Sequence, residues 1–397
     1  MHQRFEQLDS LRGLAASCVL IGHVSLVFPA VPLLVTQLLT WSPLRILVNG
    51  GGAVMFFFVL SGFVLALPFL SQTKVEYFPY LIKRIFRIYI PFVIALGFSV
   101  MLSYFISGDV DKASAFVNIP WSAHPFNKYL LESLTLVGNI HSDAYDPVIW
   151  SLAHEMRLSI IFPLIVLCVN KFNLKSTLFI CFILAIIGGL NNKFTFELSN
   201  GYATTYFDTL RFIPMFIMGV LIAKYRIHII DGVNRLSMKM KLSLLLISLI
   251  VYNFSESIFP YIIEHVLESN HLMSVVGNGL VDLGINQYGE MLGAIGIIVI
   301  VLSSVKVEKW LLKKPFLFLG RISYSLYLYH LPVMLFIVHL LYRHLPIVPI
   351  LLLSIVVSFM VATIARRYIE IPCISCGRLL SKKVTKVIHK RRLPKSA

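Results

Sequence analysis

The sequence predicts an all-α polytopic membrane protein with about ten transmembrane helices and both termini in the cytoplasm. Of its 397 residues, 57% are hydrophobic and only 14% are charged, and the mean hydropathy is +0.81. So few charged side chains cannot cover the surface of a soluble protein of this length. The apolar runs, such as Met55 to Leu67, do not alternate with polar residues as the strands of a membrane β-barrel do. Disordered and collagen-like chains are excluded by the same composition.

Ten segments are apolar over roughly the 20 residues that a helix needs to cross about 30 Å of hydrocarbon. We predict them at 9–28, 51–70, 88–107, 148–169, 176–190, 208–223, 242–260, 286–304, 322–342 and 347–365. The fifth is short, and the eighth begins in a polar stretch that is rich in glycine. Residues 1–370 are therefore predicted to form one transmembrane domain, and residues 371–397 a basic cytoplasmic tail that lies on anionic lipid.

The distribution of Lys and Arg predicts how these helices are oriented. The net charge is +16, and the basic residues are concentrated in one alternating set of loops and in the C-terminal tail. The other set of loops holds only Arg45, Lys112, Lys128, Lys193 and Arg343. The positive-inside rule places the basic set in the cytoplasm of a multi-pass protein of the inner (plasma) membrane. The excess charge is thus assigned to topology and to contact with membrane lipids, and no nucleic-acid partner is expected.

The first predicted span contains three ionisable residues, Asp9, Arg12 and His23. Ionisable side chains inside a membrane are costly and are therefore candidates for function. At about 100° per residue, Arg12 and His23 return to within about 20° of one helix face, and Asp9 lies within about 60° of both. Their rise of about 16 Å places Arg12 near the cytoplasmic surface and His23 nearer the outer face.

The fourth and sixth spans supply candidates on the outer side. Glu155 falls at a depth similar to that of His23, where a carboxylate and an imidazole can form an acid–base pair. The alternative for both is a buried structural hydrogen bond. Trp150, at the outer end of the same span, is a candidate acceptor contact. Arg211 suits an anionic acceptor or a lipid headgroup equally.

The cytoplasmic ends of the third and ninth spans contain a second group of candidates. Arg84 and Arg87 are three residues apart, so a helix places them on one face. Paired arginines suit a phosphorylated ligand, and the alternative is a positive-inside anchor. Tyr324 and His330 are further candidates there, or else interfacial belt residues. The histidines lack metal-ligand spacing, so no metal site is expected.

The order of these residues along the chain resembles that of the acyltransferase-3 family of integral membrane acyltransferases, of the stand-alone type. Leu158 and Ser159 stand where many members carry an aromatic pair. The matching blocks, in order, are LDSLRGLAA with His23, FFVLSGFVL (57–65), RIFRIYIP (84–91), WSLAHE (150–155), RFIPMFIMG (211–219) and GRISYSLYLYHLP (320–332).

The resemblance implies transfer of an acyl group, usually acetyl, from cytoplasmic acetyl-CoA to a hydroxyl of a cell-surface or lipid-linked carbohydrate. It also implies that His23 is the catalytic residue and that Arg84 and Arg87 serve the acyl-CoA. We expect Asp9 or Glu155 to fix the tautomer of His23, and Arg12, Tyr324 and His330 to line the donor site. In this hypothesis His23 acts as general base for direct attack on the thioester, with a covalent relay through a Ser or Tyr as the alternative.

Two other classes of protein remain open at this stage. A multi-span transporter or flippase of a glycan or lipid intermediate also needs buried charges around a central cavity. Against it, no paired broken helices stand out in corresponding halves of the sequence. The third class is a non-catalytic membrane scaffold, in which His23 has no chemical role.

Overall fold

The computed structural model describes residues 5–28, 33–71, 75–106, 108–122, 126–262, 279, 281 and 283–392. Its regular elements, throughout these ranges, are helices. The α-helices are α1 (Glu6–Ser25), α2 (Leu33–Trp41), α3 (Gly50–Leu70), α4 (Tyr77–Arg84), α5 (Ile90–Phe105), α6 (Ala115–Asn118), α7 (Lys128–Thr135), α8 (Ile149–Lys171), α9 (Leu174–Phe194), α10 (Tyr206–Asn234), α11 (Met238–Ile262), α12 (Ile285–Ser303), α13 (Val305–Leu311), α14 (Lys314–Leu341), α15 (Ile347–Ala365) and α16 (Ile371–Arg392).

The prediction of an all-α polytopic membrane protein is confirmed. Each of the ten predicted spans coincides with a helix, and in the described part of the chain nine helices are long and apolar enough to cross a membrane. The first helix, α1, has 20 residues but also carries Glu6, Asp9 and Arg12, and it is not among the nine. The orientation of the helices stays a prediction.

Several helices extend beyond the spans that hydropathy predicts, and two of them do so through a π-helical turn. The helix of the third span begins at Tyr77 and continues through the π turn Ile85–Tyr89 into α5. The last continues from α15 through a second π turn, Arg366–Glu370, into α16. Hydropathy identifies the apolar part of a helix and does not detect where its polar continuation ends. The predicted tail, as far as Arg392, is therefore helical, and its residues 393–397 lie outside the described residues.

The C-terminal helix α16 packs against α4 and the π turn that follows α4. Gly377 lies against the side chain of Phe86, where an added Cβ would be 2.6 Å from the Cβ of Phe86. His389 and Glu76 approach to 3.5 Å. The predicted basic tail thus contacts protein along one face. Its contact with lipid stays a prediction.

The chain divides into two compact units. The first comprises Met1–Leu70, Leu164–Ser199 and Thr205–Ser323, and the second comprises Ser71–Pro163, Asn200–Thr204 and Tyr324–Ala397. Each unit has its own buried apolar side chains. The candidate residues are divided between them, and each unit is described by itself below.

In the first unit, α3 and α10 approach each other through glycines. A Cβ at Gly62 would overlap the backbone of Phe216, and a Cβ at Gly219 would overlap the carbonyl oxygen of Val59. Phe58 packs beside this contact, with its ring centroid 5.1 Å from that of Phe212. Small residues commonly allow such close backbone contact between helices in membranes. The glycines of two matching sequence blocks therefore have a packing role.

In the second unit, the long segment between α5 and α8 is packed into the protein. The indole of Trp121 donates hydrogen bonds to Ser99 Oγ at 3.0 Å and to the carbonyl oxygen of Tyr145 at 3.1 Å. The buried Arg157 guanidinium donates to the carbonyl oxygens of Val137 and Gly138. These bonds tie the segment to α5 and α8.

Asp146, which immediately precedes α8, is a buried carboxyl in this segment. It is 1% exposed, and neither of its carboxylate oxygens has a partner within hydrogen-bond geometry among the described residues. Burial raises the pKa of Asp146 well above its usual range, and the backbone N–H of Val148 offsets only part of this effect. The folded state therefore favours the protonated form of Asp146.

We expect Gly219→Ala to destabilise the protein by about 1–3 kcal/mol, because α3 and α10 must move apart to admit the methyl group. The measurement is the melting temperature of the purified protein in lipid nanodiscs. Gly97→Ala is the matched control, since no described atom lies within 4 Å of a Cβ added there. Equal melting temperatures for the two variants would contradict the close contact.

We expect Asp146→Asn to raise the melting temperature near pH 8. Because the folded state binds the proton of Asp146 more tightly than the unfolded state, its stability falls as pH rises above the unfolded pKa of about 4. The variant should remove this decline, because the amide of Asn does not titrate in this range. Asp111→Asn, at an exposed position, is the control, and an unchanged pH profile for Asp146→Asn would refute the assignment.

Candidate functional site

The second unit contains a buried ion pair between Arg84 and Glu155. Arg84 Nη2 lies 2.8 Å from Glu155 Oε1, and the two side chains are 8% and 22% exposed. Arg84 Nε also donates to Ser159 Oγ at 3.0 Å, and the Tyr80 hydroxyl donates to the carbonyl oxygen of Ser159 at 3.0 Å. These contacts satisfy both charges, as a low-dielectric site requires. Sequence reasoning named Arg84 and Glu155 separately and did not pair them.

Ser159 was noted in the sequence only as a departure from the family pattern. In the structure its hydroxyl accepts the Arg84 Nε–H. A phenylalanine at this position could not accept that hydrogen bond. The departure was the one sequence signal at this position, and no signal pointed to Tyr80.

The spacing of Arg84 and Arg87 predicted that they share one helix face, but the structure places them on different faces. Between them the chain enters the π turn Ile85–Tyr89, which has more residues per turn than an α-helix. Arg84 is buried against Glu155, and Arg87 is exposed. The side chain of Arg84 is therefore committed to the protein, and Arg87 is the arginine at a solvent-accessible position.

Tyr324 and His330 lie on α14 within the second unit. The Tyr324 hydroxyl donates to the carbonyl oxygen of Ile88, in the π turn, at 2.8 Å. His330 is fully buried, and its Nδ1 lies 2.9 Å from the carbonyl oxygen of Leu326 one helical turn earlier. His330 therefore presents no surface to an acyl donor in this structure, whereas Tyr324 stabilises the turn that separates the two arginines.

Trp150, at the start of α8, packs against the loop that precedes α10. Its ring centroid lies 5.3 Å from that of Tyr202 and 5.9 Å from that of His154. The fully buried His154 places Nε2 2.7 Å from the carbonyl oxygen of Ala203. These contacts give His154 a structural role in holding the loop, and they leave Trp150 half-buried.

In the first unit, α1 is one uninterrupted helix that carries Asp9, Arg12 and His23. The 14 residues from Asp9 to His23 correspond to about 21 Å along that helix. Direct contact is impossible at this distance, so the expectation that Asp9 fixes the tautomer of His23 is wrong. Glu155, the other residue expected to do so, belongs to the second unit and is paired with Arg84.

The two ends of α1 have different surroundings within the first unit. Near its beginning, Ser10 Oγ donates to the carbonyl oxygen of Leu311 at 2.8 Å, and Gly13 contacts the backbone of Gly320. Arg12 is half-buried beside this contact, and it forms no ion pair or hydrogen bond with any residue that the structure describes. At the other end His23 is half-buried and follows Gly22, which lies against the carbonyl oxygen of Val48.

Arg211 is buried near the start of α10 and is already neutralised. Its Nη2 lies 2.8 Å from Asp208 Oδ1, and Asp208 also completes a capping box with Thr205. The Tyr288 hydroxyl donates to the carbonyl oxygen of Arg211 at 2.9 Å. At 6% exposure, Arg211 has little surface for the lipid headgroup that the sequence allowed as a partner.

A search for clusters of His, Cys, Asp and Glu that could hold a metal ion found none among the described residues.

A family model described as an acyltransferase domain matches residues 5–367. No curated protein and no solved structure matches the chain. The matched region takes in nearly the whole chain, including the ion pair of the second unit and the Arg12–His23 helix of the first.

We expect Arg84→Ala to destabilise the protein by about 3–5 kcal/mol, because it leaves the Glu155 carboxylate buried without its cation. The double variant Arg84→Met with Glu155→Gln should recover part of this loss. Lys83→Ala, at the exposed position next to Arg84, is the matched control and should leave the melting temperature unchanged. Equal losses for Arg84→Ala and Lys83→Ala would contradict the assignment of the pair.

Proposed function

We propose that this chain, which belongs to the acyltransferase-3 family of integral membrane acyltransferases, moves an acetyl group from cytoplasmic acetyl-CoA to a hydroxyl of a cell-surface or lipid-linked carbohydrate. The family match supports an acyltransferase. The observation that carries the finer proposal is α1, one continuous helix with a half-buried histidine and an arginine that has no partner among the described residues. The positive-inside prediction assigns Arg12 to the cytoplasmic end and His23 to the outer end.

The donor would bind through cations at the cytoplasmic end of the helices. Acyl-CoA carries phosphate groups, and arginine binds phosphate through charge-assisted hydrogen bonds. Arg12 in the first unit and the exposed Arg87 in the second are each, taken separately, a candidate for this contact. Arg84 takes a different role in the proposal, because its contacts with Glu155 and Ser159 make it a positioning residue for α4 and α8.

The reaction would take place at His23. A neutral imidazole has a suitable pKa to accept the proton of an attacking hydroxyl near pH 7. The hydroxyl oxygen attacks the thioester carbonyl carbon, the carbon–sulfur bond breaks, and the proton held by His23 is returned to the CoA thiolate. The products are an O-acetylated sugar and free CoA. An acetylated protein trapped after rapid quench would replace direct attack with a covalent relay.

We expect loss of O-acetyl groups from surface polysaccharide when His23 is changed to Ala. The measurement is the acetyl signal in proton NMR spectra of polysaccharide from the wild-type strain, a deletion strain and complemented strains. Deletion should remove the signal and His23→Ala should not restore it, because no base remains to accept the hydroxyl proton. His344→Ala, at an exposed position of the same residue type, should restore it.

Two results would contradict this proposal. Identical spectra in all strains would exclude an abundant surface glycan as the acceptor. Full restoration by a normally expressed His23→Ala variant would exclude His23 as the base.

A further inference from the structure

A cluster of polar side chains lies at the end of the first unit where α11 finishes and where α3 and α12 begin. We call it the Glu290 cluster, and it comprises Arg45, Asn49, Asn253, Glu256 and Glu290. None of these residues belongs to the sequence blocks that carry the family resemblance. The positive-inside prediction places this end of the unit on the outer side of the membrane.

Most hydrogen-bonding groups of the cluster are already used. Arg45 Nε donates to the carbonyl oxygen of Asn253 at 2.6 Å, and Arg45 Nη2 lies 3.1 Å from Glu256 Oε2. The Asn49 amide donates to the carbonyl oxygen of Tyr252 at 3.0 Å and accepts the backbone N–H of Gly52 at 2.8 Å. Arg45 and Glu256 therefore neutralise each other, and Asn49 joins α3 to α11.

Two buried oxygens of the cluster are left without a hydrogen-bond donor. Glu290 is 3% exposed and Asn253 is 4% exposed. Glu290 Oε1 and Asn253 Oδ1 have no hydrogen-bond partner among the described residues. Leaving such an acceptor unsatisfied away from water destabilises the folded protein. The cluster thus holds two acceptors that a ligand with hydrogen-bond donors would satisfy.

The packing of α11 against α12 brings these oxygens to the same level. The two helices meet so closely at Gly293 that a Cβ there would overlap the backbone nitrogen of Tyr252. Asn253 follows Tyr252 directly, and Glu290 lies one helical turn from Gly293, toward the start of α12. Close packing therefore fixes the two acceptors on facing helices.

A short segment of chain links this cluster to the end of α1 that carries His23. The segment is residues 48–51, which lead into α3 and include its first two residues. An added Cβ on Gly22 would lie 2.8 Å from the carbonyl oxygen of Val48. An added Cβ on Gly51 would lie 3.9 Å from Glu290 Oε1. The same segment therefore contacts both the residue before His23 and the carboxyl of Glu290.

We propose that the Glu290 cluster binds two hydroxyl groups of a neutral sugar unit of the acceptor. This inference rests on the proposed function, and it names the class of acceptor, a neutral sugar, that would bind on the outer side of the membrane. Hydroxyl groups supply the donors that Glu290 Oε1 and Asn253 Oδ1 lack. Arg45, the cation of the cluster, is already paired with Glu256, so the cluster offers no free cation to an acidic sugar. A bound cation fits less well, because two free oxygens fall short of the roughly 6–8 ligands that Ca²⁺ takes and Arg45 is adjacent.

The test measures binding directly with the full chain in lipid nanodiscs. The probe is de-O-acetylated surface polysaccharide, cut to oligosaccharides, and the readout is saturation-transfer NMR of its ring protons. Glu290→Gln should weaken binding by at least about tenfold, since an amide nitrogen, which cannot accept a hydrogen bond, takes the place of one carboxyl oxygen. Glu308→Gln, on α13 at the other end of α12, is the matched control and should bind as the wild type does. Asn253→Ala removes the second acceptor and replaces Glu290→Gln if that variant does not fold.

The folding of each variant is checked by its melting temperature and by its half-saturating acetyl-CoA concentration, which should both match the wild type. Equal oligosaccharide binding by wild type and Glu290→Gln overturns the inference, and so does a wild type that binds no oligosaccharide. The inference is also overturned if sodium raises the melting temperature of the wild type but not of Glu290→Gln, and if both bind the sugar equally. That result would indicate a cation site. Glu290-dependent binding without any acetyl transfer by the wild type would overturn the proposed function and support this inference.

Discussion

Lipid offers no hydrogen-bond partner to a charged side chain, so an arginine in an apolar helix depends on a carboxylate or carbonyl group of the same protein. Two arginines of this chain meet that constraint in the same way. Arg84 pairs with Glu155, and Arg211 pairs with Asp208. Each pair lies within one unit and stabilises the packing of that unit. An arginine that is paired in this way is no longer available to an anionic ligand.

Some buried or half-buried polar groups lack the partner that this constraint calls for, and three of them are the ones to which we assign ligands. Arg12 is half-buried without a partner among the described residues, and Glu290 and Asn253 each keep one buried oxygen without a donor. A protein does not gain stability from leaving such groups unsatisfied. In the proposals made above a ligand completes them: a phosphate at Arg12, and sugar hydroxyls at Glu290 and Asn253.

The sequence predicted the helices well because a membrane span is a local property. Hydropathy over about 20 residues located every long apolar helix, and it placed Arg12 and His23 on one helix, as the structure shows. Pairing between helices is a long-range property, so the partner of Glu155 was not predicted, and the π turn that separates Arg84 from Arg87 has no simple sequence signal. Glu290 was missed because it lies near the start of its span, where it resembles an ordinary interfacial residue.

The glycines of the matching sequence blocks form contacts between helices. The family resemblance therefore predicted the fold better than it predicted the chemistry. Gly13 contacts the backbone of Gly320, and Gly62 and Gly219 bring α3 and α10 into backbone contact. Four of the blocks therefore meet in pairs through residues that have no chemical role, since only a residue without a side chain permits these distances. This packing holds α1 in place at Gly13, one residue from Arg12. In the proposed reaction, Arg12 and His23 must keep their separation while a long, flexible donor extends between them. A helix anchored by backbone contact at one end and by Gly22 at the other meets that requirement, because it cannot shift along its axis without breaking both contacts.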